Sequence, residues 1–153
     1  MIKFEKISFN QFKKDVSDDK GLYDSIKLPV RGTAGAAGYD LPLLETVTLA
    51  PGEIKKIPTG LKATYPQDVV LLLIVRSRMG FKYNVRLCNQ VGVIDADYYN
   101  NPDNEGHLWI RVQNEGTAPV TINKGDAIAQ GVFVNYLTTT NDVISSATRT
   151  SDK

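Results

Sequence analysis

The chain has one cysteine, one histidine and one tryptophan among 153 residues, and no surplus of either charge. A lone Cys88 forms no intramolecular disulfide, and its apolar neighbours predict a buried, inert thiol. One histidine and one cysteine are too few soft ligands for a zinc centre held by the protein, whereas a hard cation held through phosphates stays open. No apolar stretch approaches the ~20 residues of a membrane span, and "IKFEKISF" after Met1 lacks the apolar centre of a signal peptide. The expectation is a cytoplasmic protein with no membrane contact. The 18 basic and 17 acidic side chains leave a net charge of +1, with no basic stripe, which disfavours nucleic acid as a partner. A polyanionic ligand must therefore be met by a few placed groups.

What is present is enough for one core. With 42% hydrophobic and 23% charged residues, residues 1–153 are expected to form a single domain, with 1–22 as an N-terminal extension and 138–153 as a flexible tail. "SFNQFKKDV" carries Phe9, Phe12 and Val16 at helical spacing, and Ser8 with Gln11 fits a capping box, so a short helix is predicted there. From residue 23 the pattern becomes short strand-like runs: "SIKLPV", "TVTL", "EIKKIPTGLKATY", "VVLLLIVRS", "VRLCNQVGVID", "HLWIRVQNEG", "PVTINKGD" and "AIAQGVFVNYL". Pro51-Gly52 suits a type II turn and Lys124-Gly125-Asp126 a tight turn. Many short strands without intervening helical periods predict a mainly β fold, a jelly roll or barrel. "VVLLLIV" is apolar on both faces, as expected of a central strand covered on both sides or by another subunit.

Four segments place small or polar groups where a β core does not need them. "GTAGAAGYDL" (32–41) reads equally as a linker or as a ligand-contacting loop ending in Asp40. "RSRMG" (76–80) follows an apolar strand and offers a hydroxyl, backbone N–H groups and guanidinium charge to an oxyanion, though a solvated strand end reads the same. In "GDAIAQGVF" (125–133), Gln130 breaks an apolar run, as strand-exposed polar residues also do. In "NQVGVIDADYY" (89–99), Asp95 follows apolar Val91, Val93 and Ile94. A carboxylate at an apolar rim suits a general base, and a hairpin opening into an exposed loop remains the alternative.

Taken in order, these segments resemble the motifs of the trimeric dUTP diphosphatases (dUTPases), from about Lys27 to Val134. The resemblance implies a distorted jelly-roll or β-barrel that hydrolyses dUTP to dUMP and pyrophosphate with Mg²⁺, limiting uracil in DNA. Asp95 is implied as the base that activates water for in-line attack on the α-phosphorus. Asn89 and the main chain of Val91, Gly92, Val93 and Ile94 are implied to read uracil in a hairpin, and Tyr98 to pack on deoxyribose. Arg76, Ser77, Gly80 and Gln130 are implied at the phosphates, with Asp40 structural or acting on the metal through water. A homotrimer with sites between subunits follows from the same resemblance.

There are departures. Arg78 stands among the expected phosphate contacts where the family has a small residue, and "NNPDNEG" lengthens the tip after Tyr99. The glycine-rich C-terminal arm of the family is absent before "TRTSDK", so weakened turnover is expected, and no role is assigned to Arg149. A dCTP deaminase shares the fold but uses a glutamate where this chain has Arg111. A phage-type member that binds a bacterial repressor protein is the non-catalytic alternative, with the N-terminal helix and the long tip as its surfaces.

Overall fold

The computed structural model describes residues 1–146. It is mainly β, built from eleven antiparallel strands and three short helices. Strands β2 (Tyr39–Pro42), β11 (Ala127–Asn135), β6 (Val69–Val75) and β8 (Gly92–Ile94) form one sheet in that order, and β4 (Ile54–Pro58), β9 (Trp109–Asn114) and β7 (Val85–Leu87) form a second. Two ribbons complete the fold, β1 (Lys3–Lys6) with β5 (Leu61–Thr64) and β3 (Val47–Leu49) with β10 (Val120–Ile122). Leu71, Leu73, Val85, Leu108, Val112 and Ile128 anchor the core between them. Alternation puts Leu71 and Leu73 inward while Leu72 and Ile74 stay half-buried, so β6 is central in its sheet but covered on one face within this chain.

The turn chemistry acts as expected. At Pro51-Gly52 the Glu53 N–H donates to the Ala50 carbonyl at 3.0 Å, and Gly52 takes φ +81°, the type II geometry that a Cβ would oppose.

Several expectations need correcting. "SIKLPV" is not a strand. It makes a single bridge, Val30 with Asp40, because Pro29 cannot donate to a ladder. Strand β1 and helix α2 (Lys20–Asp24) were not expected. "RSRMG" is not a strand end but opens helix α3 (Ser77–Tyr83), whose only buried residue is Met79. "VRLCNQVGVID" is two strands in two sheets: β7 pairs with β9, and β8 pairs with β6.

Helix α1 (Phe9–Asp15) forms where expected, with the Ser8 hydroxyl accepting from the Gln11 N–H at 3.1 Å. The reciprocal half of the capping box is absent. Ser8 N–H donates to Glu105 at 2.7 Å, and the Gln11 side chain turns to Asp15 at 3.0 Å. Phe9, Phe12, Leu22 and Tyr23 pack with Ile7 and Leu44 into a small second cluster beneath α1. Residues 138–146 adopt neither helix nor strand and are exposed, and Arg149 lies outside the described residues. Among the described residues no helix is long and apolar enough to cross a membrane.

Candidate active site

Among the described residues two clefts bear on function, and no residue lines both. The first, about 560 Å³, is lined by Cys88 and Asn89 from the link between β7 and β8, by Gly92, Val93 and Ile94 of β8, and by Tyr98. Its far wall carries Trp109 and Arg111 of β9, and its base Leu73 of β6. Cys88 is therefore half-buried beside a cleft, not sealed in the core as its apolar context suggested.

The link from Leu87 to Gly92 is a turn that steps between sheets, not a paired hairpin. Gln90 takes φ +64°, its N–H donates to the Leu87 carbonyl at 3.0 Å, and Val91 N–H donates to the Asn89 carbonyl at 2.7 Å. Gly92 faces Leu73 so closely that a Cβ would lie 3.1 Å from the leucine Cβ. Val91, although named with this group, is exposed and does not line the cleft.

A single 3₁₀ turn, Ala96–Tyr98, follows β8 with Asp95 in the capping position. At this turn Asp95 is exposed and lines neither cleft, while Tyr98 is buried and lines the first. In the single chain Asp95 is thus not desolvated as the apolar residues before it suggested. Tyr98 is held by its hydroxyl, which donates to the His107 carbonyl at 2.9 Å and accepts from the Asn104 side-chain amide at 2.7 Å. Asn104 lines the same cleft, and sequence reasoning missed it. It lies in the lengthened tip, which reads as polar loop, and only its contacts reveal its place.

That tip is not a solvated loop. Glu105 accepts from both the N–H and hydroxyl of Ser8 and pairs with Lys62 at 2.9 Å. Burial pushes the Glu105 carboxyl up, but the Ser8 hydrogen bonds and Lys62 outweigh it and hold the group below the usual carboxylate value. His107, fully buried, accepts the Gly60 N–H on Nε2 at 2.9 Å, so Nδ1 carries the hydrogen and donates to Asp15 at 2.6 Å. Burial keeps this imidazole neutral by lowering its pKa, against the opposing pull of Asp15.

The second cleft, about 370 Å³, gathers Gly32, Thr33, Ala36, Gly38 and Asp40 with Arg76, Ser77, Arg78 and Gln130. Strand pairing explains the meeting: Gln130 stands opposite Asp40 on β2 and Ile74 on β6. Arg76 pairs with Asp40 at 3.3 Å, so Asp40 orients a guanidinium. Arg78 leans toward Tyr83, donating to its hydroxyl at 3.3 Å. Gly80 is exposed, with nothing within 4 Å of a Cβ built there, so no close approach within this chain requires glycine. At Gly38 a Cβ would fall 1.9 Å from Gln130 Oε1, so a side chain there would displace the Gln130 amide from its present position.

Hydroxyl, amide and guanidinium groups together suit an oxyanion with several acceptor oxygens. Among the described residues no group of three or more His, Cys, Asp or Glu side chains is arranged to hold a metal.

The family model for dUTPase matches residues 24–152. The deoxyuridine 5'-triphosphate nucleotidohydrolase of Lactococcus lactis subsp. lactis is 50% identical over 117 residues, covering 76% of this chain and 78% of that protein. Its counterpart from Mannheimia succiniciproducens is 38% identical over 136 residues, covering 86% and 85%. The crystal structure of dUTPase from Streptococcus mutans superposes with a TM-score of 0.71 at 41% identity, over 90% of this chain and 98% of that one. A dUTPase from phage phi11 of S. aureus reaches 0.69 at 24% identity and shows likeness of fold alone. The chain belongs to the dUTPase family.

Proposed function

We infer that this chain hydrolyses dUTP to dUMP and pyrophosphate, with the nucleoside in the first cleft and the triphosphate in the second. The observation that carries this is the separation of the clefts: base-reading and anion-binding groups lie apart, with no shared lining residue. As the family resemblance implies, the first cleft of one copy would meet the second cleft of another in a homotrimer, and the lack of a shared lining residue fits that arrangement. The half-covered outer face of β6 gives such a partner a surface to bury.

Asn89 and the backbone of Gly92, Val93 and Ile94 read the uracil edge, and Val91 takes part through its main chain. Buried polar groups left unpaired by thymine or cytosine supply the selectivity. Tyr98 packs on the sugar where a ribose 2′-hydroxyl would collide. Asp95 accepts a proton from water as its oxygen attacks the α-phosphorus. The bond from that phosphorus to the bridging oxygen breaks, and pyrophosphate leaves with the electron pair. Ser77, Gln130, Arg76 and Arg78 hold the phosphates, and Gly80 admits the partner or the ligand.

The second cleft offers mainly donors, which fits a cation carried by the substrate's own phosphates. Mg²⁺ bound in this way would neutralise charge on the triphosphate. We assign it no direct protein ligand, since Asp40 is committed to Arg76. A phage phi11 dUTPase, similar in fold at 24% identity, is described with a structural Mg(II) ion. Arg111, not a glutamate, lines the first cleft, which favours hydrolysis over deamination.

The test is pyrophosphate release with Mg²⁺ from dUTP, dTTP, dCTP and UTP, with Asp95→Asn alongside. Turnover confined to dUTP, and lowered about 10²- to 10⁴-fold or more by the substitution, is expected. If dUTP neither reacts nor binds, only the fold is shared.

A further inference from the structure

The Tyr98 hydroxyl uses both of its hydrogen-bonding roles, donating to the His107 carbonyl and accepting from Asn104. Each partner is itself fixed. Asn104 Oδ1 accepts from the Gly106 N–H at 3.1 Å. The His107 ring is clamped between Gly60 N–H and Asp15, the last residue of α1.

Helix α1 ends at residue 15, before residue 24 where the family match begins. An apolar seat of Phe9, Phe12 and Tyr23 holds it against the body of the fold. Yet its polar ties converge on one loop, Ser8 on Glu105 and Asp15 on His107. Asp15 and Asn104 also line the same cleft as Tyr98.

We propose that Asn104 and the buried Asp15–His107 pair are positioning residues for Tyr98, through which helix α1 sharpens the choice of deoxyribose over ribose. The proposal rests on Tyr98 being the ring that packs on the sugar. Steric exclusion of one hydroxyl tolerates little play in that ring, and a tyrosine fixed at both its backbone and its hydroxyl has little.

Kinetics with dUTP and UTP test it, with thermal midpoints measured in parallel. Asn104→Asp keeps an oxygen for Gly106 N–H but removes the donor to Tyr98. Asp15→Ala strands the buried His107 N–H, while Asp15→Asn keeps an acceptor for it. Asn104→Asp and Asp15→Ala should narrow the dUTP-over-UTP ratio of kcat/KM by about threefold to tenfold, mainly through KM, with Asp15→Asn restoring it. In a Tyr98→Phe background, Asn104→Asp should have no further effect on the ratio. An unchanged ratio with a lowered midpoint would overturn the proposal and leave α1 a stabiliser. A wild-type protein that hydrolyses dUTP no better than UTP would instead remove the underlying reading of Tyr98.

Discussion

Gly38 and Gln130 compete for one volume: a Cβ on residue 38 would lie 1.9 Å from Gln130 Oε1 and 2.8 Å from its Cδ. The glycine in "AGYDL" leaves room for the Gln130 side chain, whose amide donates to the Val75 carbonyl at 3.4 Å and lines the second cleft with Arg76 and Ser77. Gly38→Ala must push Gln130 out of the second cleft. The expected result is a fall in dUTP turnover comparable to Gln130→Ala, with little added loss when the two are combined. Additive losses, measured as kcat/KM of the singles and the double, would count against a shared cause.

The His107 contact gives a prediction in pH. Its folded pKa lies below the ordinary 6.5 because burial disfavours the cation, and that outweighs the pull of Asp15. Glu105 also draws the proton on, while Lys56 repels it. A depressed pKa means that the unfolded chain binds the proton first. The stability this histidine contributes is therefore present above pH 6.5 and is lost as pH falls through the folded value. Glu105, also depressed, loses its contribution in a lower window, beginning at its ordinary 4.5. Denaturation midpoints between pH 7 and 5 should fall in the wild type. They should fall less in His107→Gln, which can still accept from Gly60 and donate to Asp15 but does not titrate.

Much of the fold was legible because alternation, turn residues and capping act locally. Ser8 caps α1, Gly52 and Gly125 take the positive φ their turns demand, and β6 sits at the centre of its sheet. Helix α3 was not legible: Ser77 to Tyr83 has one buried residue and a glycine inside, so no apolar stripe marks it. The step between sheets at Gln90 was hidden because an apolar run looks the same whether it continues or changes partner. For the site, Arg76, Ser77, Arg78, Asp40 and Gln130 line one cleft, while Gly80, expected beside them, does not. Asn104, Asp15 and His107 were invisible, since contacts 92 residues apart between Asp15 and His107 leave no local trace. The exposure of Asp95 was equally hidden, because the apolar residues before it do not show where the 3₁₀ turn that follows sends the chain.

Gly106 anchors the lengthened tip. It takes φ +77°, and a Cβ there would lie 2.6 Å from the Tyr98 carbonyl oxygen and 2.9 Å from the Tyr99 Cα. Both atoms are backbone, so neither can yield as a flexible side chain would. Gly106→Ala should cost about 1–3 kcal/mol of stability from the backbone conformation alone, with the clash adding to it. Urea unfolding gives the magnitude. Because the displaced atoms belong to Tyr98 and Tyr99, turnover of dUTP should fall even at temperatures where the variant stays folded. A variant as stable as the wild type would show that the tip rearranges without strain.

The separation of the two clefts makes the last prediction, which concerns assembly. If each site joins the first cleft of one copy to the second cleft of its neighbour, two kinds of damaged chain can repair one another. Asp95→Asn destroys the base beside the first cleft, and Ser77→Ala with Gln130→Ala in one chain damages the second. Each protein alone should be nearly inactive. Co-expressed in equal amounts and assembled at random, they would form mixed trimers with one repaired site in three, about a quarter of the sites over all trimers, so turnover should recover to about a quarter of wild type. Sites contained within one chain would never be repaired, because every chain carries a defect. Recovery that appears on co-expression, but not when the two preformed proteins are briefly mixed, would place the site between subunits that exchange slowly.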